Sequence, residues 1–157
     1  MKIRIFAVGK IKEDYLLAAI KEYTKRLAAF TVIEIIELAE AKITKENIAE
    51  INAAVNEESA RILEKLAKKD YNILLDIDGK NLDSISFAKS FLEQLKNHST
   101  FTFIIGGSNG VNEQVKQSVN LRWSFSKLTF PHQLMRVMVL EQIYRAFKIN
   151  SNQVYHK

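Results

Sequence analysis

Phe101-Thr102-Phe103-Ile104-Ile105-Gly106-Gly107-Ser108-Asn109-Gly110 runs from an aromatic and β-branched segment directly into a glycine pair. Such a run reads as a buried parallel strand that delivers the chain to a ligand-facing loop, because glycine lets the backbone approach a ligand closely. Downstream, Leu121 to Phe125 reads as another short strand. Lys127-Leu128-Thr129-Phe130-Pro131-His132 then leads into a helix that continues through Phe147. Three of the five glycines and the only proline fall between Phe101 and Lys148, so the rest of the chain is expected to support this part.

Upstream, the periodicity alternates between strand and helix. Lys2 to Val8 closes at Gly9 as a first strand, and Leu16, Ile20, Tyr23, Leu27 and Phe30 recur at helical spacing. Thr31 to Leu38 is a β-branched second strand. Thr44 is placed to cap a helix carrying Ile48, Ile51, Val55, Ile62 and Leu66 on one stripe. Tyr71 to Ile77 is a third strand, which the turn signal Asp78-Gly79-Lys80 is expected to end. A helix over Ser84 to Leu95 is expected to turn Ile85, Phe87, Ala88, Phe91, Leu92 and Leu95 inward, and Asn112 to Val119 is a short helix. Five strands alternating with five helices predict an α/β fold, a parallel sheet covered on both faces, in a single domain spanning residues 1–157.

The last helix is apolar around almost its whole circumference, from Leu134, Met135, Val137 and Met138 to Phe147 and Ile149. A helix of that kind needs cover on more than one side. A second copy of the chain would supply it, so a homodimer is expected over a central helix buried within one chain.

Composition narrows the function. The 157 residues contain no cysteine, which excludes disulfides, thiolate metal sites and a cysteine nucleophile. The three histidines lack a second imidazole at ligand spacing, so no metal is expected. No apolar run has the length of a secretory signal core or a membrane span, and the chain is read as cytoplasmic with no membrane partner. The net charge of +5 is unevenly spread. Residues 1–30 hold seven Lys or Arg against three acids and residues 121–157 hold six against Glu141 alone, whereas residues 31–60 hold two against seven Glu. That polarity fits one face meeting a polyanion, although charged solvated faces also segregate by chance.

In open parallel sheets, ligands sit beyond the carboxyl ends of the strands. The loops there are Leu75 to Lys80, Gly106 to Gly110 and Ser126 to His132, which offer backbone polar groups beside apolar side chains. A Walker loop, a Rossmann glycine fingerprint, a receiver-type acidic pair and a Gly-x-Ser-x-Gly elbow are all absent.

Leu75-Asp-Ile-Asp-Gly-Lys80, Phe103 through Gly110, Ser124 through His132, Arg136-Val137, Glu141 through Lys148 and Tyr155-His156-Lys157, together with Ala7-Val-Gly-Lys10, resemble the RlmH (YbeA) family of small ribosomal RNA methyltransferases. The resemblance covers essentially the whole chain. It implies a SPOUT fold with a C-terminal trefoil knot, a homodimer, and S-adenosylmethionine held in the knot. The implied activity is methylation of N3 of a pseudouridine in 23S rRNA, in a stem-loop at the ribosomal subunit interface. Cofactor contacts carry over to Leu75, Gly106, Phe125, Ser126, Lys127, Leu128, Thr129 and Phe130, with Leu75 and Leu128 expected to sandwich the adenine. Without the resemblance, a leucine at position 75 reads as ordinary core.

Arg145, Tyr155 and His156 carry over to the catalytic side of the site. Arg145 would stabilise the deprotonated imide and a histidine would accept its proton. Rival readings are a helix-surface pair of Arg145 with Glu141, a disordered terminus for Tyr155 and His156, and a helix cap for His132. Two other functions compete: a ribosome- or RNA-binding protein that has lost catalysis, and a small-molecule methyltransferase, since no RNA-binding domain is appended. Few basic residues in a compact chain imply weak binding to naked RNA and dependence on a preassembled surface such as the ribosome.

Overall fold

The computed structural model describes residues 1–157. The strands are β1 (Lys2–Val8), β2 (Val32–Leu38), β3 (Tyr71–Asn81), β4 (Thr100–Ile105) and β5 (Leu121–Ser124). They form one sheet in the order β2-β1-β4-β3-β5, with every pairing parallel. Alternate residues of the strands feed two separate cores, as the period of two demands. Ile3, Ile5, Ala7, Ile73, Phe101, Phe103, Ile105 and Trp123 face one side, and Phe6, Val8, Leu38, Leu74 and Ile104 face the other.

The larger core is closed by α1 (Asp14–Leu27), α3 (Ser84–Gln94) and α5 (His132–Asn150). The smaller is closed by α2 (Ile48–Lys65) and α4 (Glu113–Gln117). The expected helices on both faces are therefore present. α5 lies between α1 and α3 and buries Val139, Leu140, Ile143, Ala146 and Phe147. Phe147 stacks on Phe30 of the turn after α1 at 5.1 Å and meets Phe91 of α3 edge-on at 5.5 Å. Val137 and Met138 remain half-buried and Leu134 is exposed, so α5 is central but keeps one uncovered flank.

Four details depart from the sequence expectations. Asp78-Gly79-Lys80 does not end β3. Leu75 and Lys80 both register with Trp123, so the residues between them loop out within the strand. Gly79 returns so close to β5 that a Cβ there would lie 2.6 Å from the Arg122 carbonyl, which explains the glycine without ending the strand. Asn47, not Thr44, caps α2, its side chain accepting from the Glu50 N–H at 2.9 Å, while Thr44 donates to the Glu50 carboxylate. Ile48 is 78% exposed, and the buried face of α2 is Ala54, Glu58, Ser59 and Ile62. In α3 only Phe87, Ala88 and Phe91 are buried; Ile85 and Leu92 are exposed, because six apolar positions span more of the helix than the sheet can cover.

Candidate active site

At the carboxyl edge of the sheet, three loops close around a cleft of about 700 Å³. β3 contributes Leu75 to Asp78, the turn after β4 contributes Ile105 to Val111, and the connection from β5 to α5 contributes Phe125 and Ser126 with Leu128 to His132. A volume of this size lies within the ~300–1,000 Å³ common for small-molecule sites. Leu75 is half-buried and Leu128 is 70% exposed, so both present apolar surface to the opening.

Local hydrogen bonds hold each loop. Asp76 accepts from the Asp78 N–H at 3.1 Å and from Arg122 Nε at 2.7 Å. Burial works to raise the Asp76 carboxyl, but those two donors outweigh it and hold the group below the usual range. Gly110 N–H donates to the Gly107 carbonyl at 3.0 Å, and Gly110 has φ +78°, in the left-handed region that favours glycine. A Cβ on Gly106 would sit 2.9 Å from Val111 Cγ1 and 3.2 Å from the Gly110 carbonyl oxygen, so the loop closes only around a bare Cα. Ser126 Oγ accepts from the Leu128 N–H at 3.0 Å, shaping the third loop.

Of the cofactor positions, Leu75, Gly106, Phe125, Ser126, Leu128, Thr129 and Phe130 line the cleft. Lys127 does not: its ammonium turns outward to the Ile77 carbonyl at 3.3 Å and to Asp78 at 3.6 Å. The donor set fits S-adenosylmethionine. Apolar walls from Leu75, Ile105 and Phe125 alternate with backbone groups, and the acids Asp76 and Asp78 line the same cleft. Trp123, also in the wall, has a buried Nε1–H with no acceptor in the free protein.

The catalytic positions assemble elsewhere. Ser151 and Asn152, the latter at φ +51°, turn the chain back along α5. Tyr155 donates its hydroxyl to Glu141 Oε1 at 3.2 Å and packs its ring 4.8 Å from the Arg145 guanidinium. Arg145 holds the same Glu141 oxygen through Nε and Nη2 at 2.9 and 2.6 Å, so the helix-surface pair is present. Its Nη1 lies 3.2 Å from His156 Nδ1; a guanidinium can only donate, so Nδ1 accepts. Burial and the Glu141 charge push the Tyr155 phenol up to about 12. None of the three residues lines the cleft. Glu141 instead borders a second cavity of about 560 Å³ on the far side of the β5–α5 connection, which shares Trp123, Phe125, Ser126 and Phe130 with the first.

Sequence reasoning held Arg136 only as part of a motif, without a role, and read His132 at the end of a ligand-facing loop or as a helix cap. Arg136 is 1% exposed and bonds Glu37, Val8 and Gly9, tying the first turn of α5 to the ends of β1 and β2. Beyond the motif, the local signal for its structural role was a cation amid apolar residues. His132 is the first residue of α5, not its cap, and lines the cleft. Burial and the nearby Arg136 lower its pKa, against the pull of Glu40 and Glu13. No group of three or more His, Asp or Glu side chains is arranged to hold a metal ion, and no helix is long and apolar enough to cross a membrane.

Comparison with known proteins agrees with this geometry. The family model described as "Predicted SPOUT methyltransferase" matches residues 1–156. Ribosomal RNA large subunit methyltransferase H from Fusobacterium nucleatum is 48% identical over 160 residues, that from Streptococcus thermophilus 50% over 161, and that from Malacoplasma penetrans 46% over 158, each covering both chains completely. Among solved structures, a tRNA (m1G37) methyltransferase from Aquifex aeolicus superposes with a TM-score of 0.53 at 14% identity, over 92% of this chain and 70% of that one. A Legionella pneumophila methyltransferase in complex with S-adenosylmethionine gives 0.50 at 13%, over 94% and 66%. Fold and cleft thus define a methyltransferase of the SPOUT class. Within that class, the chain belongs to the ribosomal RNA large subunit methyltransferase H family.

Proposed function

We propose that the protein transfers a methyl group from S-adenosylmethionine to N3 of a pseudouridine in large-subunit ribosomal RNA, acting on assembled ribosomes in the cytoplasm as a knotted homodimer. Full-length identity near 50% with relatives named for large-subunit rRNA methylation supports the substrate. The observation that carries the dimer is the separation of Arg145, Tyr155 and His156 from the cleft within one chain, beside an uncovered flank of α5.

The bound cofactor supplies an activated methyl on a sulfonium, so the chain's work is alignment, which can contribute up to roughly 7–11 kcal/mol. Leu75 and Leu128 would grip the adenine, and the backbone of Gly106 and of Ser126 to Thr129, Lys127 included, would take its polar edge, with Phe125 and Phe130 closing the wall. The tail of one protomer reaches the cleft of its partner. There the Arg145 guanidinium stabilises the N3 anion, and His156, once its Nδ1 is released from Arg145, accepts the N3 proton. Tyr155, a neutral phenol across the working pH range, orients the base by hydrogen bonding.

Labelled methyl transfer to ribosomes, compared with separated subunits carrying pseudouridine or uridine at the interface stem-loop, tests the reading. Label confined to the assembled, pseudouridine-bearing particle is the expected result. Equal transfer to an isolated stem-loop would remove the requirement for a composite surface.

A further inference from the structure

The cleft's glycine loop has a back as well as a front, and one turn of α2 occupies it. Ser59 Oγ accepts from the Asn112 N–H at 2.9 Å, and Asn56 Oδ1 accepts from Asn112 Nδ2 at 3.1 Å, which secures the end of the loop. Between them on the helix lies Glu58, only 6% exposed. Its Oε1 accepts from the Ala41 N–H at 2.9 Å, reaching the connection between β2 and α2. Its Oε2 is seated against Gly107, where a Cβ would come within 2.6 Å of it and within 3.2 Å of Val8 Cγ1.

We propose that Glu58 is a positioning residue for cofactor binding, a strut that fixes Gly106 and Gly107 against the connection after β2. The proposal rests on the reading that this loop contacts S-adenosylmethionine. Glu58 does not line the cleft, so it acts through the loop and touches no reacting atom. Stability alone does not account for the residue. Burying a carboxyl costs more than burying an apolar side chain of similar size unless its polar atoms are well partnered. Burial indeed raises the Glu58 pKa, helped by Glu40 and Glu57 and opposed by the Ala41 N–H and Arg61. A leucine here would fill the volume but could not hold the Ala41 N–H and Gly107 in one rigid unit.

The test uses the full-length protein, with S-adenosylmethionine binding followed by calorimetry and transfer followed on ribosomes. Glu58→Ala should weaken cofactor binding and raise KM for the cofactor by about tenfold, a loss of ~1.4 kcal/mol in binding. KM for ribosomes and kcat should stay within about threefold, and Glu58→Gln, which keeps shape and the Ala41 acceptor, should restore cofactor affinity to the same margin. Gly107→Ala alone should also weaken binding, because the new methyl meets the carboxylate. Combined with Glu58→Ala it should cost less than it does alone, a coupling that general destabilisation does not produce.

Strict additivity overturns the proposal, as does a loss of kcat together with a rise of both KM values that tracks a fall in Tm. A wild type that binds no S-adenosylmethionine defeats both the reading of the loop and the inference. Wild-type binding left intact by Glu58→Ala defeats the inference alone.

Discussion

Arg136 and Gly9 stand 127 residues apart in the chain, yet Arg136 Nη2 donates to the Gly9 carbonyl at 2.8 Å. The same nitrogen reaches the Val8 carbonyl at 3.0 Å, and Nη1 meets Glu37 at 2.8 Å. One guanidinium therefore satisfies the carbonyl ends of β1 and sets where α5 begins, and with it His132 in the cleft wall.

Arg136→Met should destabilise the protein by about 3 kcal/mol, because two buried carbonyls lose their donor and Glu37 its partner. Urea unfolding of the variant against wild type measures this. A loss below ~1 kcal/mol would show that water replaces the guanidinium at no great cost.

Arg145→Ala should leave S-adenosylmethionine affinity unchanged and lower methyl transfer by about a hundredfold or more, the usual scale for removing a group that stabilises developing charge. Calorimetric titration and single-turnover transfer on ribosomes separate the two effects. A variant that still transfers at the wild-type rate would return Arg145 to a plain partner of Glu141.

A chain lacking residues 154–157 should bind cofactor but not transfer methyl, and Gly106→Val should fail to bind cofactor, since even a Cβ there collides with Val111. Neither should be active alone. Mixed and allowed to exchange subunits, the two should regain activity, because a heterodimer pairs an intact cleft with an intact tail. Silence of the mixture, with heterodimers shown to form, would place the tail in its own subunit's site.

His132 gives a signed pH dependence. Its folded-state pKa is lowered, so the neutral imidazole is favoured by folding. The associated stability is fully present above the unfolded value of about 6.5 and is lost as pH falls through the folded value. Thermal melts from pH 7 to pH 5 should fall less steeply for His132→Gln than for wild type. Parallel curves would mean that Arg136, Glu40 and Glu13 cancel at this ring.

The elements themselves were legible because strand and helix periods differ: β1 is found at Lys2–Val8 as read, and Ile20, Tyr23 and Leu27 of α1, with Phe30 of the turn after it, are the face that packs. Periodicity reports which face is buried but not which strands are neighbours, so the order β2-β1-β4-β3-β5 was beyond it. It also overstated burial where apolar residues outnumber the contact surface, as at Ile85 and Leu92. The three loops of the cleft were visible as glycine and polar punctuation after strands. Glu58 was not, and Arg136 was visible only as a motif residue, since each derives its role from a backbone group contributed by a distant segment.

The place of β1 in the sheet has a temporal consequence. Its register partner on β4 begins 98 residues later, Lys2 opposite Thr100, so at roughly 5–20 residues per second the first strand leaves the peptidyl-transferase centre about 5–20 s before that neighbour exists. The core face it shares waits longer still, until Val139 to Phe147 of α5 have been made. A nascent chain that stops short of its last helix thus leaves that β-branched, aromatic face without its cover.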